Sequence, residues 1–173
     1  GVSAAQWMHT HTSDMMMYLA GDPEIEFVQG HITANNSDWK GNRLNIDPGI
    51  PMGYVQFKNG VLGYQLAAGG YEFEASGSKG KLRMLANGSG LQYQIGHEQP
   101  RLIEGIPDQR GTVTCIQNLI QAIETNSQTL GNIELAHRSQ EMIMGFIESH
   151  RRGGKRVTLP LEDRNMYVGR EDW

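Results

Sequence analysis

The feature that most constrains the fold is a series of strand-like segments joined by glycine-containing turns between residues 53 and 96. Asn59-Gly60 separates "YVQF" from "VLGYQL", and both turn residues tolerate the positive φ that a tight hairpin requires. The sequence "GSKG" at 77–80 separates "YEFEA" from "KLRML" in the same way. The run therefore predicts an antiparallel meander of about five strands, with one face packed against helices.

A helix is predicted before this meander, from Ser3 to about Leu19. The segment contains no proline or glycine, and its end is marked by Gly21 and Pro23. Apolar residues recur at helical spacing and predict a buried stripe; they are Ala4, Ala5, Met8, Met15, Met16 and Leu19. Of the three consecutive methionines, the first two are expected in the core and Met17 is expected to be partly exposed.

The remaining segments complete an α+β pattern. "EIEFVQGHIT" at 24–33 predicts a strand, the polar segment 34–51 predicts a surface loop, and "RVTLPL" at 156–161 predicts a last short strand. Two helices are predicted between the meander and that strand, each with an apolar face. These faces comprise Ile116, Leu119, Ile120 and Ile123 in the first helix, and Ile133, Ala136, Ile143, Met144 and Ile147 in the second. The order of elements predicts a large, mostly antiparallel sheet with helices on one face.

Composition excludes several classes of function. The 173 residues carry a net charge of -4, and the basic residues are scattered except for "RRGGKR" at 151–156. No clustered positive surface is predicted, so nucleic acid and anionic membranes are not expected as partners. The single cysteine, Cys115, and the lack of a long apolar run predict a cytoplasmic protein that does not cross a membrane.

Three segments together resemble one known family. They are "HTSDMMMYLAGDPEIEFVQG", "FKNGVLGYQLAAGGYEFEASGSKGKLRM" and "GNIELAHRSQEMIMGFIESHRRGGKRVTLPL". In this order and spacing they look like the start, middle and end of the C-terminal domain of Gfo/Idh/MocA NAD(P)-dependent oxidoreductases. The alternative, an unrelated module of sheet and helices, requires this threefold match to be a coincidence.

The resemblance implies a domain over residues 1–161, followed by a polar tail at 162–173. It implies that an N-terminal Rossmann domain, expected to be missing from this chain, binds NAD or NADP. The reaction implied is reversible hydride transfer at a hydroxyl carbon of a sugar, cyclitol or related polyol. The domain would supply part of the substrate pocket and would form dimers or tetramers through the open face of the sheet.

The chain itself lacks the motifs that bind a dinucleotide. There is no G-x-G-x-x-G, and "GSKG" lies between two predicted strands rather than before a helix. The Glu-Lys-Pro motif of the family, whose lysine helps to polarise the reacting hydroxyl, is also absent. A complete active site is therefore not expected in this chain alone.

The resemblance places the catalytic dyad of the family on the first helix. Aligned on "YLAGDP", the family histidine, a general acid/base, falls at His11, and the family aspartate falls at Trp7. Positions 7, 11, 14 and 18 lie within about 60° of one another around a helix. His11 and Asp14 are therefore the candidate catalytic residues, and Trp7 and Tyr18 are candidate substrate contacts.

Other interpretations of the same residues stay open. His9 points about 200° away from His11 on a helix, so a metal site formed by His9, His11 and Asp14 is disfavoured. "RRGGKR" could contact a phosphate, although a basic helix end that is favoured by the helix dipole is the simpler interpretation. The loss of the aspartate at Trp7 also allows a non-catalytic sugar-sensing or assembly protein of the same fold.

Overall fold

The computed structural model describes residues 4–67, 70–105 and 111–169. By their contacts the residues divide into unit 1, residues 1–67 with 133–173, and unit 2, residues 68–132. The helices are α1 (His9–Ala20), α2 (Gly111–Thr125) and α3 (Ile133–Arg151), and a π-helical segment, Ala4–Met8, leads directly into α1. The strands are β1 (Ile25–His31), β2 (Trp39–Lys40), β3 (Arg43–Leu44), β4 (Met52–Phe57), β5 (Leu62–Leu66), β6 (Phe73–Gly77), β7 (Gly80–Met84), β8 (Leu91–Ile95), β9 (Arg101–Leu102), β10 (Val157–Thr158) and β11 (Tyr167–Val168).

The α+β class with antiparallel strands is confirmed, and the described strands are hydrogen-bonded in three sheets rather than one. Unit 1 holds a four-stranded sheet in the order β10-β1-β4-β5 and a small sheet in the order β11-β3-β2. Unit 2 holds the sheet β6-β7-β8-β9. The predicted hairpins β4–β5 and β6–β7 are both present, and the chain between them passes through Gly70 at φ +109°.

The core of unit 1 lies between α3 and the four-stranded sheet. Phe146 of α3 is fully buried, and its ring lies on Gly30 of β1 and Gly53 of β4. These two glycines are partners in the antiparallel register, so together they form a flat surface without side chains. The close approach of helix and sheet therefore depends on glycine at both positions.

The predicted burial of the methionine triplet and the predicted exposure of the segment 34–51 are both wrong. Met17 is the fully buried methionine of the triplet, whereas Met15 and Met16 are only partly buried. The buried side of α1 instead runs through Ser13 and Met17. α1 is joined to α3 by a hydrogen bond that Ser139 donates to Thr10 O at 3.3 Å. The segment 34–51 is also not a simple surface loop, since it contributes the buried residues Leu44, Pro48 and Ile50.

The two C-terminal helices differ in how their apolar faces are used. In α3, Ile143 and Ile147 are fully buried, as expected, while Ile133 at its start is exposed. In α2 the predicted face is exposed, and Ala122 is the buried side chain among the described residues of that helix.

The segment that was expected to be a polar tail contributes to unit 1. β11 pairs in parallel with β3, and Met166 is buried in the core beside these strands. Residues 170–173 of that segment lie outside the described residues.

Candidate functional site

The four residues singled out by the sequence lie on the exposed side of the first helix. Trp7 and Tyr18 are 66% and 68% exposed, and His11 and Asp14 are exposed between them. The helix ends where Gly21 adopts φ +87° and its N–H bonds to the carbonyls of the last turn. Within the described part of the chain, the His11 imidazole and the Asp14 carboxylate form no hydrogen bond or ion pair, so both are free to meet a ligand.

Position 7 belongs to the π-helical segment rather than to α1 itself. A π-helical turn contains one more residue per hydrogen-bonded turn than an α-helix, and such turns are frequent at functional sites. The direction of Trp7 is therefore set by a different local geometry from that of His11.

His9 lies on the opposite, inward side of α1. Its Nε2 accepts a hydrogen bond from the Ile50 backbone N–H at 3.1 Å, and its Nδ1 lies 2.6 Å from the side-chain amide of Gln65 on β5. Burial lowers the pKa of the His9 imidazole, and the Asp47 carboxylate opposes that shift only in part. With both ring nitrogens engaged, His9 is unavailable to a substrate or to a metal shared with His11.

Asp47, a half-buried residue beside the start of this helix, was missed by sequence reasoning. Its Oδ1 accepts a hydrogen bond from the Gln6 backbone N–H at 3.0 Å, while Oδ2 is buried without a hydrogen-bond partner among the described residues. It lies in a polar stretch, "NIDPGIP", that gave no signal of burial.

The basic run "RRGGKR" begins in an ion-pair network rather than a free cationic surface. Glu148, 4% exposed, accepts hydrogen bonds from Arg151 Nε and Arg152 Nε, both at 2.6 Å. Burial alone would raise the pKa of the Glu148 carboxyl, but the hydrogen bonds from the two arginines together outweigh it and lower that pKa. Arg151 also donates to Asn42 Oδ1 at 3.0 Å, which ties the end of α3 to the β2–β3 turn. The arrangement supports a structural role for this run.

A separate pocket of about 240 Å³ lies at that end of α3. None of the four sequence-predicted site residues lines it, since its walls are Asn36, Trp39, Gly41, His150 and Arg151. The His150 Nδ1 accepts a hydrogen bond from the Ile32 N–H at 3.3 Å, and burial, with His31 nearby, lowers the pKa of that imidazole.

The glycine pair of "GSKG" lies in a tight turn between two strands. Gly77 and Gly80 of "GSKG" face each other across the β6–β7 turn, and a Cβ at Gly80 would lie 1.9 Å from Gln94 O on β8. This glycine is thus required by strand pairing, and β7 rather than a helix follows it. Within residues 4–67, 70–105 and 111–169, no group of three or more His, Cys, Asp or Glu side chains could hold a metal ion, and no helix could span a membrane.

Comparison with known families gives one match that covers most of the chain. The model described as "Oxidoreductase family, C-terminal alpha/beta domain" matches residues 6–159. A search of curated protein sequences finds no significant match.

Several solved structures share the fold. Levoglucosan dehydrogenase in complex with NADH and L-sorbose superposes with a TM-score of 0.70 at 17% identity, covering 91% of this chain and 50% of that one. Aldose-aldose oxidoreductase from Caulobacter crescentus, complexed with glycerol, gives 0.68 at 16% identity, covering 87% and 46%. UDP-N-acetylglucosamine 3-dehydrogenase from Acidithiobacillus ferrooxidans gives 0.63 at 10% identity, covering 84% and 46%. This chain thus spans about half the length of these proteins, and at such identities the likeness establishes the fold alone.

Proposed function

Because this chain belongs to the Gfo/Idh/MocA oxidoreductase family as its C-terminal alpha/beta domain, we propose that it forms the substrate-side half of a longer NAD(P)-dependent oxidoreductase. The substrate we propose is a sugar, cyclitol or related polyol, since structurally similar proteins are named for action on levoglucosan, aldoses and a UDP-linked amino sugar. We propose that a Rossmann domain of the longer protein binds NAD or NADP, since levoglucosan dehydrogenase, which shares the fold, is described in complex with NADH.

The observation that carries this proposal is the exposed row Trp7, His11, Asp14 and Tyr18 on one side of the first helix. Oxidation of an alcohol requires a base for the hydroxyl proton, and histidine titrates in the range suited to that task. His11 is an exposed imidazole on this row, whereas the neighbouring His9 is consumed by internal hydrogen bonds. We therefore assign the general base to His11.

The other three residues have supporting roles in this proposal. Asp14, three residues further along the same side, stabilises the imidazolium that forms when His11 takes the proton. Trp7 forms an apolar wall of the substrate pocket, and the Tyr18 hydroxyl donates a hydrogen bond to a substrate oxygen. Tryptophan cannot orient an imidazole as a carboxylate does, so the acid partner of His11 has to come from the C-terminal side.

The experiment uses the full-length protein, including the residues that precede this chain. Nicotinamide reduction is followed over a panel of aldoses, anhydrosugars and inositols, and His11→Ala is compared with the native protein. Loss of a general base lowers kcat by about 10²- to 10⁴-fold. His137→Ala, which removes another exposed helical histidine, is the matched control and should retain native turnover. Unchanged turnover in His11→Ala would remove His11 from the mechanism.

Trp7 favours a second candidate, a non-catalytic sugar-binding protein of the same fold. The missing acid at position 7 is what the loss of the dyad would produce, and an exposed tryptophan is suited to stacking on a sugar ring. Native protein that binds sugars, measured through tryptophan fluorescence, without reducing nicotinamide would support this candidate. A gain of turnover in Trp7→Asp would identify a lost dyad as the cause.

We further propose that copies of the protein associate through the open face of the four-stranded sheet. Across β4 and β5 this face carries the cross-strand pairs Met52–Leu66 and Tyr54–Tyr64, and the two tyrosine rings are 5.3 Å apart. Leu66 and Tyr64 are exposed here, and contiguous apolar surface of this kind is typical of interfaces.

Sedimentation of the native protein against Leu66→Lys tests this association. The variant should be monomeric at concentrations where the native protein is a dimer or tetramer. Leu130→Lys, which changes an equally exposed leucine in unit 2, is the control and should leave the assembly intact. A strictly monomeric native protein would contradict the proposal.

A further inference from the structure

We propose that His9 is a positioning residue for the candidate site. Its imidazole is the neutral Nδ1–H tautomer and is hydrogen-bonded to Ile50 and Gln65. These bonds fix the rotation of α1 about its axis, so that His11 points outward. The link to catalysis rests on the proposed function, whereas the tautomer and the geometry do not. His9 belongs to none of the roles assigned above.

The tautomer follows from the hydrogen bond to the backbone. A peptide N–H can only donate, so the Ile50 N–H at 3.1 Å requires a lone pair on His9 Nε2. A neutral imidazole carries one proton, which must then be on Nδ1. Burial, which lowers the pKa of this imidazole, favours the neutral form.

The orientation of the Gln65 amide follows from the tautomer. An Nδ1–H needs an acceptor, and the side-chain amide of Gln65 is 2.6 Å away, so its oxygen must face His9 and its NH₂ must face Thr12. Thr12 Oγ1, 3.3 Å from the amide, has a free lone pair because its own O–H donates to His9 O at 2.9 Å. This orientation gives up only a 3.4 Å contact between the amide and Ile50 O.

The resulting network joins three parts of unit 1. His9 and Thr12 lie on α1, Gln65 lies on β5, and Ile50 lies just before β4. Gln65 is 7% exposed, so a rotation of α1 that broke these bonds would leave a buried amide unsatisfied. Because His9 and His11 are two residues apart on one helix and point in opposite directions, holding one inward holds the other outward.

The first test uses this 173-residue chain with ¹⁵N-labelled histidine and needs no substrate. Long-range ¹⁵N–¹H correlation spectra distinguish protonated from unprotonated ring nitrogens. His9 should show a protonated Nδ1 and an unprotonated Nε2 at neutral pH. The exposed His137 is the internal control and should show rapid exchange between tautomers. Protonated Nε2 in His9, or averaging like that of His137, would overturn the proposal.

The second test uses the full-length protein and asks whether His9 acts through His11. His9→Ala should lower kcat at least tenfold with little change in KM, because the base is misdirected rather than removed. The shape of the pH profile should persist, since the base itself is retained. His9→Gln, whose side-chain oxygen can accept the Ile50 N–H bond, should recover most of that loss.

The outcomes separate the two proposals. Native kcat in His9→Ala, measured well below its unfolding temperature, would show that His9 is merely structural and would overturn the positioning role. Native full-length protein that turns over none of the sugars refutes the proposed function instead. In that case the inference about His9 is decided by two other measurements, which are the tautomer of His9 in the native protein and the rate at which His11 is carbethoxylated in His9→Ala. A carbethoxylation rate of His11 equal to that in the native protein would overturn the inference.

Discussion

Alanine in place of Gly30 or Gly53 tests how closely α3 approaches the sheet. A Cβ at Gly30 would lie 2.7 Å from Phe146 Cδ1 and 2.9 Å from Phe146 Cβ, and ordinary contact begins at 3.4 Å. The overlap at the nearest atom is thus 0.7 Å. Since Phe146 Cβ is attached directly to the helix backbone, rotation of the side chain cannot relieve its part of the clash, and α3 itself has to move.

At Gly53 the clash involves only the tip of the ring. The added Cβ would lie 2.7 Å from Phe146 Cζ and 2.9 Å from Cε1, atoms that a small tilt can displace. Overpacking of a core costs about 1–3 kcal/mol. We therefore expect Gly30→Ala to lower the free energy of unfolding by about 2–3 kcal/mol and Gly53→Ala by about 1–2 kcal/mol.

Urea denaturation measures these free energies, with the m-value as a check that the unfolding reaction is the same. Gly77→Ala is the control, because a Cβ at that strand position would meet nothing within 4 Å, and its effect should be within about 0.5 kcal/mol. Phe146→Leu removes the tip of the ring, so Gly53→Ala should be less destabilising in that background than in the native protein. The difference between the two effects should be about 1 kcal/mol or more. This account of the packing would be refuted if Gly30→Ala had the same free energy of unfolding as the native protein, or if Gly53→Ala lowered that free energy more than Gly30→Ala does.

Three further predictions concern the stability of unit 1. Glu148→Gln should lower the free energy of unfolding by about 1–3 kcal/mol, measured by denaturation, because two arginines lose a charged acceptor. Since the pKa of the Glu148 carboxyl is lowered from 4.5, this difference should be complete above pH 4.5 and shrink as pH falls through the lowered value. Because the pKa of His9 is lowered from 6.5, stability should decline as pH falls below 6.5. His9→Gln should flatten that slope, and an unchanged slope would contradict a half-buried, neutral imidazole at position 9. Met166→Ala should cost about 2–5 kcal/mol if the C-terminal segment belongs to the core, whereas a cost below about 0.5 kcal/mol would show that it does not.

The sequence was most informative where local rules decide the structure. Both hairpins could be predicted from their turn sequences, and each turn contains one glycine at positive φ, Gly60 at +88° and Gly80 at +150°. Helical phase alone was enough to separate His9 from His11. The apolar stripe, by contrast, misplaced the buried side of α1, which runs through Ser13 and Met17.

What could not be predicted depends on contacts between distant segments. Met17 is fully buried in the core of unit 1, and no periodicity within α1 alone reveals the distant segments that cover it. The segment 34–51 has the composition of a loop, yet Leu44 is buried where β11 pairs with β3. The engagement of His9 likewise depends on Gln65, which is 56 residues away along the chain.

Trp7 lies in the π-helical segment that precedes α1, whereas His11 lies within α1 itself. The direction of the side chain at position 7 can therefore change without a change at position 11. Removing one residue from Ala4–Met8 would convert the wide turn to an α-helical one while His9 and everything after it kept their contacts. Because a wide turn accommodates one extra residue, its loss would move each residue of the turn that precedes the deletion one position closer to His11. A single-codon deletion in this turn therefore changes which residue lies beside His11 in the proposed site while the rest of α1 keeps its place in unit 1.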